Sequence, residues 1–393
     1  MISSVIREKN QMRTQSLFEA DRLTLPGAID LSVASLNAYG ERYRHWAIAY
    51  SGGKDSTATL AFVLWSLASG RVAAPESLTV LYADTRMELP PLRLAALRIL
   101  YQVQSAGYRA EVVLPAMDDR FYVYMFGRGV PPPKNRFRWC TPQLKIEPMH
   151  AALAELRQRA DAKLLMLTGV RLGESAARDQ RIAVSCSKDS GECGQGWFQV
   201  ATPESIADTL APLLHWRLCH VFDWLYFEQE RHGFDTSGVA AVYGDEDIRT
   251  GCVGCNLASR DNSLERLLRQ EEWQHLRPLM ELRPLYAELT KPRWRKRKLE
   301  PELRQDGQWS ANPQRMGPLT MAGRAYGLER VLDIQRRAGV DLVSVEEEER
   351  IRELWRLDTW PNKWTSFDID ASVPVDAKRR TDSGIATQTL LVR

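Results

Sequence analysis

The residues best suited to chemistry lie in one short segment, SGGKDST at positions 51–57. It follows an apolar run that reads as a strand and precedes an apolar run with helical spacing. At such a turn, the free N–H groups and the positive dipole end of the helix form an anion site. The two glycines allow close backbone approach, Lys54 adds a positive charge, and three hydroxyls supply donors. The segment therefore predicts a site that holds a polyphosphate.

The elements around this segment alternate between strand and helix. Short apolar runs predict strands at 46–50, 78–83, 110–114 and 164–168. Helical patterns lie between them at 57–69, 89–106 and 146–159. This alternation predicts an α/β fold with a parallel sheet and helices on both faces. Such sheets bind ligands at the carboxyl ends of their strands, where the glycine-rich turn lies.

The rest of the chain reads as mainly helical after about residue 205, with two amphipathic helices expected at 320–338 and 344–357 and then an irregular tail. We therefore predict three regions along the chain. They are an N-terminal helical extension (1–40), a nucleotide-binding and iron–sulfur domain (41–285), and a basic linker with a helical C-terminal region (286–393).

Composition limits the class of protein. The chain has 393 residues, 44% of them apolar, and a formal net charge of +3, which is too small to indicate a nucleic-acid partner by itself. We expect no signal peptide and no membrane span, and therefore a cytoplasmic protein. Disulfides are not expected there, so the six cysteines are metal ligands, reactive thiols or core residues. Cys219, in an apolar helical run, is predicted to be a core residue.

The segment SGGKDS resembles the PP-loop of ATP pyrophosphatases. That resemblance implies an adenine nucleotide alpha hydrolase-like fold, in which the loop holds the β,γ-pyrophosphate of ATP while the α–β bond breaks with Mg²⁺. The residues that it assigns to ATP are Ser51, Gly52, Gly53, Lys54, Asp55, Ser56, Asp84 and Gly169. The residues that it assigns to catalysis are Lys54, Asp55, Arg171 and Arg178.

Two further segments follow strands. Asp84 lies in LYADTRMELP, where the resemblance implies a carboxylate near adenosine or Mg²⁺. The alternative is a carboxylate that caps the next helix. Arg171 and Arg178 lie in GVRLGESAARDQR, which looks like a segment of the reductase-like PP-loop branch. Both arginines suit bidentate phosphate binding, and the alternative is an exposed helix face with solvated charges.

Two cysteine segments, RWCTPQLKIEP at 138–148 and RTGCVGCNL at 249–257, resemble those that hold a [4Fe–4S] cluster in adenylyl-sulfate reductases. The matching ligands are Cys140, Cys252 and Cys255, whereas Trp139 stands where a further cysteine is expected. Cys193 is the favoured fourth ligand, with Cys186 or an open iron that carries sulfide as alternatives. Zinc and free thiols also remain open.

Over most of the chain, the segments above and the C-terminal PLTMAGRAYGLERVLDIQRRAG and EEERIRELW resemble the PP-loop component of bacterial DNA phosphorothioation systems. That resemblance implies an anti-phage modification enzyme that adenylylates a DNA backbone phosphate. Sulfur from a cysteine desulfurase then displaces AMP, through a low-pKa thiolate or a cluster-bound sulfide and with other subunits of the complex. The alternatives are a tRNA thiolase, an adenylyl-sulfate reductase and a non-catalytic sensor. The reductase is disfavoured, because no cysteine follows residue 255 to serve as its redox thiol.

Basic residues provide the candidate DNA contacts. The run KPRWRKRK at 291–298 contains six positive charges around one tryptophan. Such a run suits backbone phosphates, and the alternative is a solvated linker. The residues assigned to DNA are Lys145, Arg293, Arg295, Lys296, Arg297 and Lys298.

Overall fold

The computed structural model describes residues 23–135, 137–173, 180, 191–192, 197–199, 206–244, 250–258, 260–298, 307–308, 316–373, 376–381 and 384–389. The α-helices are α1 (Leu25–Gly40), α2 (Lys54–Ala68), α3 (Pro90–Ser105), α4 (Glu147–Ala160), α5 (Leu218–Tyr226), α6 (Gln229–His232), α7 (Ser237–Tyr243), α8 (Asn262–Leu267), α9 (Leu282–Glu288), α10 (Met321–Ala338) and α11 (Val345–Arg356). The strands are β1 (His45–Tyr50), β2 (Ser77–Ala83), β3 (Arg109–Val113), β4 (Leu164–Leu167), β5 (Gly191–Glu192), β6 (Trp197–Gln199), β7 (Ala207–Ala211), β8 (Arg295–Arg297), β9 (Met316–Leu319), β10 (Ile369–Asp370), β11 (Asp376–Thr381) and β12 (Gly384–Thr389). Tighter or wider helical turns are Met117–Asp119, Val123–Gly127, Pro142–Ile146, Glu271–Glu281 and Pro292–Trp294.

The largest sheet has the strand order β3-β2-β1-β4-β7-β6-β5. β1 pairs with β4, and β4 with β7, in parallel. Helices connect β1 to β2 and β2 to β3, as parallel neighbours require. β5 and β6 add an antiparallel edge. The predicted α/β class is confirmed, because β1 to β4 and their connecting helices lie within a few residues of the predicted bounds.

Two parts of the sequence prediction were incomplete. β7 lies where we expected the chain to become helical. It is short, and its polar Asp208 is buried because Tyr43 and Lys163 contact its carboxylate. The expected irregular tail contains β10 and an antiparallel hairpin of β11 with β12. α10 and α11 match their prediction closely, since each begins after a hydroxyl residue that caps its first turn.

The described chain divides into two compact units, and each gathers three separate segments. The first unit contains Met1–Val80, Ile99–Ala110 and Glu155–Ala240, and the second contains Leu81–Arg98, Glu111–Ala154 and Ala241–Arg393. These units interleave along the chain, whereas the regions that we predicted, with divisions after residues 40 and 285, are sequential. The predicted division therefore stays a prediction.

Aromatic rings form much of the core of the first unit. Phe62 and Trp65 of α2 lie 5.7 and 5.4 Å from the ring of Trp224 on α5. Trp216 precedes α5, and its ring lies 5.5 Å from Phe62. The indole of Trp216 also donates a hydrogen bond to the Ser32 hydroxyl of α1, at 2.9 Å. These contacts fix the segment that leads into α5 against α2, which begins at the glycine-rich turn.

Cys219 is not a core residue, so that prediction was wrong. It lies exposed on α5. The helix buries His220, Val221, Trp224 and Leu225, which share one face. At about 100° per residue, Cys219 is about 170° from the centre of that face. The Cys219 thiol therefore faces solvent although it lies in an apolar helical run.

In the second unit, the two C-terminal helices pack on the turn Val123–Gly127. Trp355 of α11 donates its indole N–H to the carbonyl of Phe126 at 2.8 Å. The fully buried Arg324 of α10 donates to the carbonyl of Gly127 at 2.9 Å. A Cβ on Gly127 would lie only 2.6 Å from Leu354, so the glycine allows this close approach. The C-terminal helices therefore form part of the core of this unit.

No helix among the described residues combines the length and apolar character needed to cross a membrane.

Candidate nucleotide site

The glycine-rich turn connects β1 to α2, as the sequence predicts. Gly52 has a φ of +75°, which a side chain would strain. Gly53 is the N-cap of α2 and supplies no side-chain cap. The first N–H groups of the helix are therefore left for a ligand, at the positive end of the helix dipole. This arrangement suits a phosphate group.

Hydroxyl groups fix the shape of this turn. The hydroxyl of Ser56 donates to the carbonyl of Gly53 at 3.0 Å. It also accepts the backbone N–H of Ser51 at 3.2 Å, and the two serine hydroxyls lie 3.0 Å apart. Ser51 and Ser56 therefore close the turn on itself before any ligand binds, and their hydroxyls lie side by side.

Three charged side chains meet at the start of α2. The Lys54 ammonium lies 3.0 Å from one oxygen of Asp55, and the Arg171 guanidinium lies 2.5 Å from the other. Arg171 also donates to the carbonyl of Trp216 at 3.0 Å. Lys54 and Arg171 are each only 5% exposed. Two buried cations, with the Asp55 carboxylate between them, lie beside the helix N-terminus, and this arrangement favours an anion.

Gly169 follows β4 and contacts the start of α2. A Cβ at this position would lie 2.7 Å from the backbone nitrogen of Ser56, 2.8 Å from its Cα and 2.9 Å from the carbonyl carbon of Asp55. No real side chain occupies such distances from backbone atoms, so only glycine fits. Gly169 thereby brings the strand end, and Arg171 two residues later, against the turn.

The structure thus gathers most of the predicted ATP and catalytic residues in the first unit. They are Ser51, Gly52, Gly53, Lys54, Asp55, Ser56, Gly169 and Arg171. Arg178 lies outside the described residues. Both oxygens of Asp55 already contact cations, and no group of three metal-binding side chains is present in the described part of the chain. The described turn alone therefore does not form a Mg²⁺ site.

Asp84 belongs to the second unit. It is 1% exposed and lies 2.9 Å from the Arg93 guanidinium of α3. Its other oxygen accepts the backbone N–H of Arg86 at 2.9 Å. One carboxylate oxygen therefore binds its own segment and the other binds the next helix. This arrangement is close to the alternative predicted from the sequence, a carboxylate that caps that helix. A role for Asp84 in ATP binding stays a prediction.

The three predicted cysteine ligands also lie in the second unit. Burial and the neighbouring Cys255 raise the pKa of the Cys140 thiol. Burial raises the pKa of Cys252 to about 12, although Lys145 acts in the opposite direction. Cys255 closes a turn by donating its N–H to the carbonyl of Cys252 at 3.1 Å. The three thiols therefore lie near enough to interact electrostatically.

These thiols do not form a ready metal site. No three metal-binding side chains lie close enough to hold an ion, as far as the described residues show. Cys186 and Cys193, the candidates for a fourth ligand, lie outside the described residues. Burial acts against the thiolate form of both Cys140 and Cys252, because it raises the pKa of each thiol. The [4Fe–4S] cluster therefore stays a proposal.

Trp139 takes no part in ligation. It is buried, its ring stacks on Phe121 at 5.3 Å, and its indole donates to the carbonyl of Pro131 at 3.0 Å. Lys145 lies close enough to Cys140 and Cys252 to lower the pKa of both thiols, and its contact with DNA stays a prediction. The side chain of residue 139 thus anchors the segment that carries Cys140.

The centre of the basic run 291–298 is buried, so it is neither part of an exposed patch nor a solvated linker, and both interpretations of the sequence need correction there. Arg295, Lys296 and Arg297 form β8 and are 4–7% exposed. Lys296 donates to the carbonyls of Ser366 and Asp368, at 3.0 and 2.7 Å. The residues of β8 do not alternate between apolar and polar side chains. The sequence therefore gives no sign that this strand is buried.

The flanking cations of this run have acidic partners. Lys291 and Arg293 both pair with Glu288, and Lys298 lies 2.7 Å from Asp368. Arg293 and Lys291 are exposed, so they can still contact a partner. A continuous phosphate-binding surface on all six cations is not present.

Sequence reasoning missed the carbonyl of Trp216 as a partner of Arg171, and Asp55 as the link between two cations. A backbone carbonyl carries no sequence signal. Asp55 was assigned to ATP because of its place in the motif, and its pairing with Arg171 depends on a contact between residues 116 positions apart.

Part of the chain matches a known protein family. Residues 45–232 match the phosphoadenosine phosphosulfate reductase domain family. The match includes the glycine-rich turn, Asp84, Cys140 and Arg171, and it ends before Cys252 and Cys255. This family match, together with the parallel sheet, confirms the PP-loop type of fold. It also confirms the resemblance to the reductase domain, as a resemblance of this part of the chain. The closer resemblance to DNA phosphorothioation proteins stays a prediction. No curated protein matches the chain.

Several solved structures are distantly similar. A phosphoadenylyl-sulfate reductase from Candida auris, in a phosphate complex, is 12% identical, with a TM-score of 0.32 over 49% of this chain and 77% of that chain. A U34-tRNA thiolase from Methanococcus maripaludis, with its [4Fe-4S] cluster, is 13% identical, with a TM-score of 0.36 over 67% of this chain and 78% of that chain. An FMN adenylyltransferase from Candida glabrata is 15% identical, with a TM-score of 0.30 over 50% of this chain and 55% of that chain.

Proposed function

We propose that this protein is a cytoplasmic ATP-dependent sulfurtransferase that activates a DNA backbone phosphate for phosphorothioate modification. One observation carries the nucleotide part: the turn at 51–56 leaves helix N–H groups open beside the buried cations Lys54 and Arg171. The family match over 45–232 supports nucleotide-dependent sulfur chemistry. The DNA substrate is supported by the sequence resemblance to phosphorothioation proteins.

In the proposed first step, a non-bridging oxygen of a DNA phosphodiester attacks the α-phosphorus of ATP. The α–β bond breaks, the DNA phosphate gains an adenylyl group, and pyrophosphate leaves. Lys54, Arg171 and the N–H groups at the start of α2 bind the pyrophosphate, whose charge rises as the bond breaks. Donors already in position stabilise that developing charge.

In the second step, sulfur at the oxidation level of sulfide attacks the activated phosphorus, and AMP leaves with the former DNA oxygen. No electrons are gained or lost, because a sulfide replaces an oxide. A cysteine desulfurase, acting with other subunits of a modification complex, is the proposed source of the sulfur. It supplies the sulfur as a persulfide, and a thiol reductant releases it as sulfide while its own thiols are oxidised to a disulfide. Should an iron–sulfur cluster bind, Cys140, Cys252 and Cys255 would hold it, and thiolates are the ligands such clusters take.

The proposal is tested by measuring pyrophosphate release from ATP with DNA, with tRNA and with neither. DNA should stimulate release by the wild-type protein, with the adenylyl group transferred to DNA and released as AMP once sulfide is supplied. Lys54→Ala should lower this release by at least about a hundredfold, since charge-stabilising donors contribute about 3–4 kcal/mol. Arg44→Ala, which removes an exposed cation outside the turn and outside the basic run, is the matched control and should match wild type.

The other outcomes are equally specific. Stimulation by tRNA alone would show a tRNA thiolase, and reduction of an adenylyl sulfate would show a reductase. Release of ADP and orthophosphate would contradict the assignment of the turn. No release under any condition would favour a nucleotide-bound sensor.

The cluster has its own test. After anoxic purification, iron and acid-labile sulfide should be present and should be lost in Cys252→Ser. Cys219→Ser is the control, because that thiol is exposed on α5. A protein with zinc and no labile sulfide would contradict the cluster while leaving the nucleotide assignment in place.

A further inference from the structure

The second unit contains a cavity of about 390 Å³. This volume lies in the range of pockets that bind small molecules, roughly 300–1,000 Å³. Three aromatic residues, Tyr124, Phe137 and Trp364, contribute to its wall, together with Lys134 and Arg295. No acidic residue of the described chain lines it. Aromatic rings with two cations are the combination that binds a nucleobase and its phosphate.

Backbone hydrogen bonds set two of these side chains opposite each other. The N–H of Lys134 donates to the carbonyl of Phe137 at 3.1 Å, and the N–H of Phe137 donates back at 2.8 Å. The segment is also fixed on both sides, because Trp139 and Asn256 donate to the carbonyls of Pro131 and Pro133. Phe137 is nevertheless 48% exposed. An exposed ring on a well-anchored turn is available for stacking.

Arg295 is built into the cavity wall and is only 4% exposed. Its Nε donates to the carbonyl of Gly317 at 2.7 Å, and a second nitrogen donates to the same oxygen. Its Nη1 is buried and has no hydrogen-bond partner in the described structure. A buried guanidinium nitrogen without a partner is costly, and the positive charge of this guanidinium favours an anion in the cavity that it lines.

The ring of Trp364 reaches the cavity because residue 317 has no side chain. A Cβ on Gly317 would lie 2.1 Å from that ring. The same glycine therefore seats the tryptophan and presents its carbonyl to Arg295. The Nζ of Lys298 lies 4.8 Å from the centre of the indole ring, which orients the ring further.

Within the described part of the chain, no carboxylate balances the positive charge of the cavity. Neither Lys134 nor Arg295 pairs with a carboxylate among the described residues. Burial and the charge of Arg295 lower the pKa of Lys134, and burial lowers the pKa of Arg295 to about 10. Arg297, two residues along β8, is also buried with unpartnered nitrogens. The site therefore gains from a negatively charged ligand.

We infer that this cavity holds one nucleotide of the DNA substrate, with its base stacked on Phe137 and its phosphate at Lys134 and Arg295. This inference rests on the proposed function for the identity of the nucleic acid. It replaces the continuous basic surface expected from the sequence with an aromatic pocket, in which two cations serve a single phosphate. DNA would thus be held by stacking as well as by charge.

The test is a binding measurement without ATP, by fluorescence anisotropy of labelled single-stranded and duplex DNA on the full-length protein. Phe137→Ala should weaken binding by roughly five- to a hundredfold, the range for loss of one stacked base. Lys134→Gln should weaken it and lower the slope of log affinity against log salt by about one. Phe227→Ala, another exposed phenylalanine, is the control and should bind as wild type does.

A deoxynucleoside monophosphate, used as competitor, shows whether the cavity binds a nucleotide of DNA or only a free nucleotide. Displacement of DNA by the monophosphate in wild type, and its loss in Phe137→Ala, supports the inference. Equal DNA affinity in wild type, Phe137→Ala and Lys134→Gln overturns it, even where the free monophosphate binds. Pyrophosphate release is measured separately: if DNA does not stimulate it but the variants still lose DNA binding, the proposed function fails and the pocket stands.

Discussion

Gly169 shows, at the scale of single residues, how little space the nucleotide turn leaves. Its Cα faces the backbone of Asp55 and Ser56, and a methyl group there would lie within 3 Å of three backbone atoms. Backbone cannot rotate away as a side chain can. The residue therefore determines the position of the first turn of α2 relative to the end of β4.

We predict that Gly169→Ala destabilises the protein by about 1–3 kcal/mol, the usual cost of forcing extra atoms into a packed site. It should also lower ATP-dependent pyrophosphate release, because the helix N-terminus must shift. Urea unfolding measures the first effect. Gly251→Ala, where a Cβ would meet no atom within 4 Å, should stay within about 0.5 kcal/mol of wild type. Equal stability of both variants would contradict the close packing.

Residue types in the turn were predictable from the sequence, and their partners were not. SGGKDS identifies the donors and charges because a phosphate site needs them in that order after a strand. That Asp55 lies between Lys54 and Arg171 depends on where β4 ends in space. Arg295 is a second example. Its charge suggests an exposed side chain, but the side chain is buried by contacts that the sequence does not reveal.

At the scale of elements, α5 shows what a hydrophobic run leaves undecided. The run is apolar for most of its length, yet only one face is buried, and Leu225 on that face is 0% exposed. Cys219 lies on the opposite face. The period of the helix, rather than the number of apolar residues in the run, determines which residues are inside.

We predict that Leu225→Ala lowers the free energy of unfolding by about 2–5 kcal/mol, because it removes buried methyl groups and leaves a cavity. Cys219→Ser should change it by less than about 0.5 kcal/mol. Both are measured by urea unfolding under reducing conditions. A large loss for Cys219→Ser would mean that this thiol is covered in solution.

Strong periodicity made the helices and central strands predictable, because β1 and β4 are continuous apolar runs that are buried on both faces. β7 was missed because Asp208 interrupts its apolar pattern. Its burial depends on Lys163 and Tyr43, which come from distant parts of the chain. Strands are recognised in a sequence by apolar runs or by alternation of apolar and polar residues. A short strand that buries a paired charge shows neither pattern.

At the scale of the whole molecule, the C-terminal helices belong to the core of the second unit. α10 and α11 hold the turn Val123–Gly127 through Arg324 and Trp355. Composition indicated a boundary near residue 285, since a highly charged segment begins there. The packing shows that the centre of this charged segment is strand β8, paired on both sides with β9 and β10.

We therefore predict that a fragment of residues 1–285 does not unfold cooperatively and aggregates, because removal of α10 and α11 exposes the buried side chains around Phe126. Gel filtration and thermal unfolding measure this. Co-expression with residues 286–393 is the control and should restore a soluble complex. A monomeric fragment that unfolds cooperatively by itself would support the division after residue 285.

The interleaved segments have a consequence for synthesis on the ribosome. All the pieces of the first unit exist once residue 240 has been added, and that unit can fold while translation continues. Residues 111–154 have by then left the exit tunnel without the helices at 321–356 that later cover them. During that interval the nascent chain exposes the apolar side chains that α10 and α11 later cover, and we expect a holding chaperone to bind it there.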